Sequence, residues 1–242
     1  MENSNEQTLD VIAVGAHPDD IEIACGGTLA KLAHQGYRVG IIDLTNGEPT
    51  PRCENPAIRI AEAQAAAEKL GIAVRKILTL PNRRLMDSFE ARVELATEFR
   101  RYQPKVVIGF GNKTPMASPD HYQAMLITDA AVFYARLTKW DEYFSGLPVH
   151  TISTQLYFQL LYEPPAGEHG TSIVVDVSDT LEQKIESILC YQTQFPPEKR
   201  RVLDRVRSTA IALGTVCGFA AGEAFTTVRP LGCSDLVKTV LP

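Results

Sequence analysis

Apolar runs alternate with amphipathic segments along the chain, a pattern that predicts strands and helices in turn. The first unit consists of a strand over residues 11–16 (VIAVGA), a helix over 24–36 and a second strand over 37–45. Strands that alternate with helices in this way form a mostly parallel sheet in α/β proteins. The start of the chain therefore predicts a strand, helix, strand unit.

The same alternation continues to about residue 137 and then becomes weaker. It predicts helices over 57–71, 89–104 and 121–137, strands over 74–80 and 105–111, and polar loops at 46–56, 81–88 and 112–120. Further on, it predicts a strand-like run at 151–162, a strand at 172–178, helices at 181–195 and from about Pro197, and a short tail containing FTTVRPLG. The whole pattern predicts an α/β fold with a mostly parallel sheet and helices on both faces.

Length and composition predict one domain over residues 1–242, with a polar N-terminal tail over residues 1–9. The 242 residues are 45% hydrophobic, which is enough for a sizeable core. No internal repeat or linker-like stretch marks a domain boundary.

Charge and cysteine content favour a cytoplasmic protein that binds a small or neutral ligand. The net charge of -5 and the absence of a lysine or arginine run argue against nucleic acid and membrane as partners. The N-terminus lacks a signal-peptide pattern, and no apolar run approaches the ~18 residues of a membrane span. The five cysteines include no CxxC pair, so we expect neither a disulfide framework nor a cysteine zinc site.

The loops after the first and fourth predicted strands contain the residues that suggest chemistry. The first loop supplies His17, Asp19 and Asp20, and the second supplies Asp120 and His121. In an open parallel sheet, ligands bind beyond the carboxyl ends of the strands, near the point where the strand order reverses. We therefore expect these two loops to be neighbours.

The first of these turns predicts a cation site, because adjacent carboxylates repel the phosphate that such a turn often binds. His17 and Asp20 lie three residues apart around the stiff Pro18, so they can converge while Asp19 points elsewhere. With His121 they offer three nitrogen and oxygen ligands that suit zinc and leave a position open for water, as in catalytic sites. Asp19 could then act as the base in hydrolysis of an amide or ester.

Each of these residues also has an ordinary structural interpretation that spacing alone leaves open. His17 could be a core histidine, Asp20 a helix N-cap and His121 a histidine at the start of a helix. Cys25 lies on the helix after the turn, where a small packing residue suffices, and we do not assign it to the site.

Several motifs, in the same order, resemble the LmbE-like, or PIG-L-like, N-acetylglucosaminyl deacetylases. They are AHPDDIEIACGGTLAKLAHQGYRVGIIDLTNGE, RIAEAQAAAEKLG, SPDH, CYQTQF and GEAF. The similarity covers nearly the whole chain and is greatest to the bacillithiol-pathway branch.

This resemblance implies a Rossmann-like fold and a zinc-dependent enzyme that removes an acetyl group from a small molecule containing N-acetylglucosamine, such as N-acetylglucosaminyl malate. It implies His17, Asp20 and His121 as ligands of Zn²⁺ and Asp19 as the base that activates metal-bound water. Fe²⁺ is a second candidate, because histidine and aspartate accept both metals. A homo-oligomer, either a trimer or a hexamer, is also implied.

The resemblance further suggests that Arg59 binds a hydroxyl or acid group of the substrate, whereas its ordinary interpretation is an exposed helix arginine. The loop before it is one residue longer than the family pattern, which makes Arg52 the nearest competitor. Glu22 and Asp120 are expected to orient the ligands or the neighbouring loops.

Ser118 departs from the family, whose second motif normally reads His-Pro-Asp-His. The histidine is thought to stabilise the oxyanion or protonate the departing amine, and a serine cannot supply its positive charge. Losing an oxyanion donor costs about 100- to 1000-fold in turnover. Three alternatives follow: a slower enzyme, a metal-binding relative with weak or lost activity, or a site rescued by another group such as His150 or His169.

Overall fold

A seven-stranded sheet forms the centre of the structure, a computed structural model that describes residues 8–158, 160, 171–227, 229–230 and 232–234. In chain order, its strands are β1 (Val11–Gly15), β2 (Val39–Asp43), β3 (Val74–Ile77), β4 (Val106–Phe110), β5 (Thr154–Phe158), β6 (Thr171–Asp176) and β7 (Gly222–Thr227). Their order in the sheet is β3-β2-β1-β4-β5-β7-β6. Strands β1 to β5 are parallel to one another, and β7 is antiparallel to both of its neighbours.

Six α-helices of the described chain flank this sheet on both faces. They are α1 (Asp20–His34), α2 (Pro56–Leu70), α3 (Phe89–Tyr102), α4 (Asp120–Tyr134), α5 (Leu181–Leu189) and α6 (Arg201–Val216). In one group α3 packs against α4, and in the other α5 packs against α1 and α2. Crossovers that leave the central strands in opposite directions place their helices on opposite faces. The predicted α/β fold is confirmed.

The core lies around the central strands, because β1 and β2 are buried along their whole length. Strands that are covered on both faces have near-continuous apolar sequences, as these two have. Leu9 belongs to this core: it is buried, and its N–H donates to the carbonyl of Tyr102 (2.8 Å). The predicted tail over residues 1–9 therefore extends too far, because its last residue belongs to the core. Residues 1–7 lie outside the described residues.

Helix α1 begins at Asp20, earlier than predicted, and has a kink at Cys25. Beyond the kink, the N–H groups of Gly27 and Thr28 donate to the carboxylate of Glu223 (3.0 and 2.7 Å). A Cβ atom on Gly27 would lie 3.0 Å from the same carboxylate. The early start reflects the acidic turn, which is compatible with a helix N-terminus because the helix dipole favours carboxylates there.

Strand β7 was predicted as part of a C-terminal tail, and this prediction is wrong. The strand lies between β5 and β6, and its side chains alternate in burial toward its end. The charged Glu223 at a buried position hides this pattern in the sequence. Lys184 of α5 compensates the buried charge, with its Nζ 2.5 Å from Glu223 Oε1.

Helix α5 ends at Leu189, short of the predicted residue 195. The carboxylate of Glu62 accepts hydrogen bonds from the backbone N–H (2.8 Å) and the hydroxyl (2.5 Å) of Thr193. These bonds fix the segment after α5 as a turn. Where the structure describes them, the other predicted elements are present with ends shifted by a few residues, and residues 159 and 161–162 of the predicted run at 151–162 lie outside the described residues. Within the described residues, no helix combines the length and the apolar character that crossing a bilayer requires.

Candidate active site

The strand order reverses between β1 and β4, which are neighbours at the centre of the sheet. Chain segments that leave these two strands continue to opposite sides of the sheet, so a crevice opens at their carboxyl ends. The loop after β1 and the start of α4 meet in this crevice, as predicted. His17 Nε2 and Asp120 Oδ2, one from each segment, are 3.3 Å apart.

The carboxylate of Asp20 folds back onto the turn that precedes it. Its Oδ2 accepts hydrogen bonds from the N–H groups of Ala16 (3.0 Å) and His17 (2.9 Å). The N-cap interpretation of Asp20 is therefore wrong, because its carboxylate binds N–H groups that lie before the helix. Asp19 has left-handed backbone angles (φ 112°, ψ -23°). This conformation is strained for a residue other than glycine. It points the carboxylates of Asp19 and Asp20 in different directions.

His17, Asp20 and His121 form a cluster in which one donor atom from each residue lies within 4.8 Å of the others. His17 Nδ1 is 3.4 Å from Asp20 Oδ2, and His121 Nε2 is 3.4 Å from Asp20 Oδ1. The other His17 nitrogen is engaged by Asp120, so Nδ1 faces the cluster. His121 Nδ1 is buried and has no hydrogen-bond partner among the described residues, which argues against a satisfied core histidine.

The donor set of this cluster fits a zinc ion. Two imidazole nitrogens and a carboxylate oxygen are ligands that zinc accepts, and three protein ligands are typical of catalytic zinc. Phe110 stacks on the His121 ring (centroids 4.8 Å apart, planes at 17°) and restricts its rotation. Among the described residues, no second group of three such donors comes together, and Cys25 is not part of this one.

The charged groups of the cluster shift one another's pKa values. Burial alone would raise the pKa of Asp20, but the imidazoles of His121 and His17 overcome burial and hold it below its usual range. Burial disfavours protonated His17, yet Asp20 and Asp120 raise its pKa to about 10. A metal ion binds neutral imidazole, so its binding would release the proton of His17. The ion would then interact with the same two carboxylates.

Asp19 lies beside this cluster and contacts the buried Arg59 of α2. Arg59 Nη2 is 3.1 Å from Asp19 Oδ2 and also donates to the carbonyl of Pro18, while Nη1 is 3.6 Å from Glu48 Oε1. Burial raises the pKa of the Asp19 carboxyl to about 7, and Arg59 opposes this rise. The interpretation of Arg59 as an exposed helix arginine is wrong, because only 2% of the residue is exposed.

Glu48 is a member of this site that sequence reasoning missed. It is buried and pairs with Arg59, although it ends the TNGE stretch that carried part of the resemblance. A lone glutamate in a loop that contains several prolines gives no periodic signal of burial. Its charge becomes informative only once a buried arginine is known to face it.

Three other sequence candidates lie away from this cluster or outside the described residues. Arg52 is exposed and pairs with Glu198 (2.5 Å), so it does not compete with Arg59 for Asp19. The ring of His150 bonds the carbonyl of Pro104 (2.7 Å), at the amino ends of the strands and therefore away from the crevice. His169 lies outside the described residues.

The two residues expected to orient the ligands have different roles in the structure. Asp120 Oδ2 accepts a hydrogen bond from the N–H of Arg83 (2.6 Å) and lies against His17 Nε2, so it holds that imidazole. Glu22 instead binds Arg75 and the hydroxyl of Tyr191 (2.8 Å), in a buried network away from the donor atoms. Its contribution is to the packing of α1.

The cluster opens into a cavity of about 390 Å³, a volume within the range of small-molecule sites. His17, Asp19, Asp20, Arg59, Ser118 and His121 all line it. The structure therefore brings the three expected metal ligands together with Asp19, Arg59 and Ser118 around one cavity. The half-buried Ser118 accepts a hydrogen bond from the N–H of Asp120 (3.3 Å) through its hydroxyl.

A family model described as GlcNAc-PI de-N-acetylase, or PIG-L, matches residues 12–132. This is half of the chain, and it runs from β1 into α4 with every residue of the cluster. The chain belongs to the PIG-L family.

The relatives of this PIG-L family member are named for different reactions. It is 27% identical to the diacetylchitobiose deacetylase of Thermococcus kodakarensis over 90% of this chain and 82% of that protein. It is also 28% identical to the 4-oxalmesaconate hydratase of Pseudomonas putida over 79% of this chain and 76% of that one. The solved structure of a conserved protein from Thermus thermophilus is 29% identical, with a TM-score of 0.79, and covers 93% of this chain and 97% of that one.

Proposed function

We propose that this PIG-L family member is a metal-dependent hydrolase that removes the acetyl group from a small molecule containing N-acetylglucosamine. The observation that carries the proposal is the placement of Asp19 beside the His17, Asp20 and His121 donors in one cavity. The family description and the diacetylchitobiose deacetylase relative support an N-acetylated amino sugar as the substrate class.

His17, Asp20 and His121 would hold the metal ion, with Zn²⁺ favoured by the donor set and Fe²⁺ as the second candidate. When bound there, the ion would supply Lewis-acid polarisation of the acetyl carbonyl and would lower the pKa of water. Asp120 would keep the His17 ring in the tautomer and orientation that this requires.

Asp19 would act as the general base and then as the acid. Its carboxylate accepts the proton of the attacking water as the new C–O bond forms, and it delivers a proton to the nitrogen as the C–N bond breaks. Acetate and the free amine are the products. Arg59 holds the Asp19 side chain in place, because its guanidinium contacts the carboxylates of both Asp19 and Glu48.

Ser118 supports a second candidate, a metal-binding family member with weak or lost deacetylase activity. Its hydroxyl can donate one hydrogen bond toward the cavity but cannot become a cation near neutral pH. The two candidates predict the same metal site and differ only in turnover. The Ser118→His substitution separates them.

We propose N-acetylglucosaminyl malate, a substrate of the bacillithiol-type branch, as the first specific candidate. A homo-oligomer, either a trimer or a hexamer, and a cytoplasmic location complete this proposal. The five unpaired cysteines support a reducing compartment, where free thiols persist.

The test is a substrate panel on the zinc-loaded protein. Amine release would be measured from N-acetylglucosaminyl malate, N,N'-diacetylchitobiose and N-acetylglucosamine, and hydration of 4-oxalmesaconate would be measured in parallel. The proposal predicts amine release, loss of this release after chelation, and recovery on addition of zinc. Hydration without amine release would contradict it.

A further inference from the structure

The guanidinium of Arg59, which contacts the proposed base, forms hydrogen bonds to the described residues through one nitrogen only. Its Nη2 donates to the carbonyl of Pro18 and lies 3.1 Å from Asp19 Oδ2. Its Nε and Nη1 are buried and form no hydrogen bond within the described chain, although Nη1 lies 3.6 Å from Glu48 Oε1. Paired bonds fix the orientation of a guanidinium, and a single bonded nitrogen does not. A further contact is therefore needed to hold the plane of this group.

The ring of Tyr191 supplies that contact. The guanidinium carbon of Arg59 lies over this ring, 5.5 Å from its centre. The face of an aromatic ring attracts a guanidinium within about 6 Å, and the attraction is strongest where water is excluded. Both residues are buried. The ring therefore favours one orientation of the guanidinium.

Tyr191 is itself held by three parts of the chain. Its hydroxyl donates to Glu22 Oε1 of α1 (2.8 Å), and its ring packs with Ala63 and Ala66 of α2. In the turn after α5, its carbonyl accepts a hydrogen bond from the N–H of Phe195 (2.8 Å). A ring held at so many points is a rigid support for the arginine beside it.

The tyrosine ring does not face the reacting groups directly. Asp19 and Arg59 line the cavity that contains the metal donors, whereas Tyr191 is not among the described residues that line it. A substrate in this cavity would contact Asp19 without contacting the ring. Any effect of Tyr191 on the reaction would therefore be transmitted by Arg59.

We propose that Tyr191 is a positioning residue of the active site. Its ring fixes the plane of the Arg59 guanidinium, and the guanidinium then holds the Asp19 carboxylate in the orientation that proton transfer requires. This inference rests on the proposed deacetylase function and adds to it a residue that does not contact the substrate. It also gives a role to the CYQTQF motif, which contains Tyr191.

Two variants that both lack the tyrosine hydroxyl isolate the contribution of the ring. Tyr191→Phe keeps an aromatic face beside Arg59, whereas Tyr191→Leu replaces that face with an aliphatic one. On the zinc-loaded protein, kcat for amine release should be about two- to thirty-fold lower in Tyr191→Leu than in Tyr191→Phe, the fold-change that corresponds to a cation–π contact. KM and zinc content should be the same in both variants, because the cavity lining is unchanged. Equal kcat values in the two variants would overturn the inference.

Phe144→Leu is the matched control for loss of a buried aromatic ring. Arg100 lies over the ring of Phe144, 3.7 Å from its centre, and bonds the carbonyl of Ala135 (3.1 Å). Ala135 follows α4 at the end opposite to the metal donors, about four helical turns away. The urea midpoint should fall in both leucine variants, but kcat of the folded protein should fall only in Tyr191→Leu. Equal losses of kcat would show that the role of Tyr191 is merely structural.

A double-mutant cycle tests whether the ring acts through Arg59. The Arg59→Lys variant cannot contact Asp19, Pro18 and Glu48 at once, so it has already lost what the ring preserves. Adding Tyr191→Leu to it should lower kcat by less than about two-fold. The full loss in that background would show that the ring acts by another route and would overturn the inference.

An NMR signal of Arg59 separates failure of this inference from failure of the proposed function. Its Nε–H resonance, identified by its absence in Arg59→Lys, should have the same ring-current shift in the wild type and Tyr191→Phe and should move in Tyr191→Leu. This measurement requires no turnover. A wild type that releases no amine from any substrate would refute the deacetylase. An unmoved resonance in Tyr191→Leu would refute the role of Tyr191 and leave the deacetylase standing.

Discussion

Arg59 Nη2 lies 3.1 Å from Asp19 Oδ2, and the same guanidinium lies 3.6 Å from Glu48 through Nη1. One buried cation thus holds two carboxylates, and one of them is the proposed base. Removing one partner of a buried pair leaves a charge without compensation, at a cost of about 3–5 kcal/mol. The arrangement fixes Asp19 in its strained backbone conformation beside the metal donors.

Replacing Arg59 should impair catalysis without removing the metal. Arg59→Lys keeps the charge but cannot contact Asp19, Pro18 and Glu48 at once, because an ammonium lacks the planar fork. We expect kcat to fall about ten- to 100-fold, less than the about 100- to 10,000-fold expected for loss of a general base. Zinc content should stay at the wild-type value. Arg52→Lys is the control and should have wild-type kcat, and equal losses in both variants would contradict this assignment.

Metal affinity should fall most when a residue of the cluster is replaced, less when a residue that supports the cluster is replaced, and not at all when the residue lies elsewhere. Zinc titration should show one site per chain, lost in His121→Ala and weakened about 10- to 100-fold in Asp120→Ala, which removes only the support of His17. His150→Ala should bind like the wild type, because His150 bonds the carbonyl of Pro104 elsewhere in the fold. Unchanged affinity in His121→Ala would show that the cluster is not the metal site.

Restoring the family histidine should reveal how much activity Ser118 costs. A Ser118→His side chain would enter the cavity beside His121 and supply a group that can carry positive charge. We expect turnover to rise by up to about 100- to 1000-fold, the usual worth of an oxyanion donor. Ser118→Ala, the control, should not gain activity. A variant that binds zinc and shows no gain on any substrate would favour the non-catalytic candidate.

The stability of the fold should depend on pH through Asp129 on α4. Burial raises the pKa of its carboxyl, although Tyr157 and Gln155 donate hydrogen bonds to it (3.0 and 2.7 Å). As the pH rises from about 4, the unfolded chain loses this proton first, so the folded state loses stability. The free energy of unfolding of Asp129→Asn should therefore increase relative to that of the wild type as the pH rises.

A second aspartate provides the control with the opposite sign. Hydrogen bonds from Ser178 hold the pKa of Asp176 below its usual range. Its contribution to stability is present above the unfolded pKa of about 3.9 and is lost as the pH falls. The free energy of unfolding of Asp176→Asn should therefore decrease relative to that of the wild type as the pH rises. Parallel curves for the wild type and both variants in chemical denaturation would contradict these assignments.

The charge of Glu223 should be essential to the fold, although the residue lies outside the active site. It accepts from Gly27 and Thr28 in the kinked α1 and pairs with the buried Lys184. Glu223→Gln leaves that lysine unpaired, so the free energy of unfolding should fall by about 3–5 kcal/mol.

The control for this prediction is an exposed ion pair of similar composition. Glu182→Gln removes the pairing of Glu182 with Arg207, and it should cost under about 1 kcal/mol in the same denaturation experiment. Equal losses in the two variants would show that burial of the Glu223 pair is not what matters.

Much of the fold could be predicted because its central strands are continuous apolar runs. β1, β2 and β4 stand out in the sequence, and parallel strands place their carboxyl ends at one edge. His17 and His121 could therefore be brought together from topology alone. By contrast, β7 contains a buried glutamate, and its strand character becomes evident only beside Lys184.

The environment of the catalytic residues was harder to predict than the residues themselves. A single arginine on α2 can face solvent or the core, and its direction depends on Asp19 and Glu48, which come from other loops. No local pattern of hydrophobic and polar residues encodes such a pairing.

The most direct test of the account is the rate of amine release by the Asp19→Asn variant, measured with its zinc content beside the wild type. Asparagine keeps the shape of Asp19 but cannot accept the proton of the attacking water. The account predicts a rate about 100- to 10,000-fold lower, with zinc bound as in the wild type. An unchanged rate in the zinc-loaded variant would contradict the proposed mechanism.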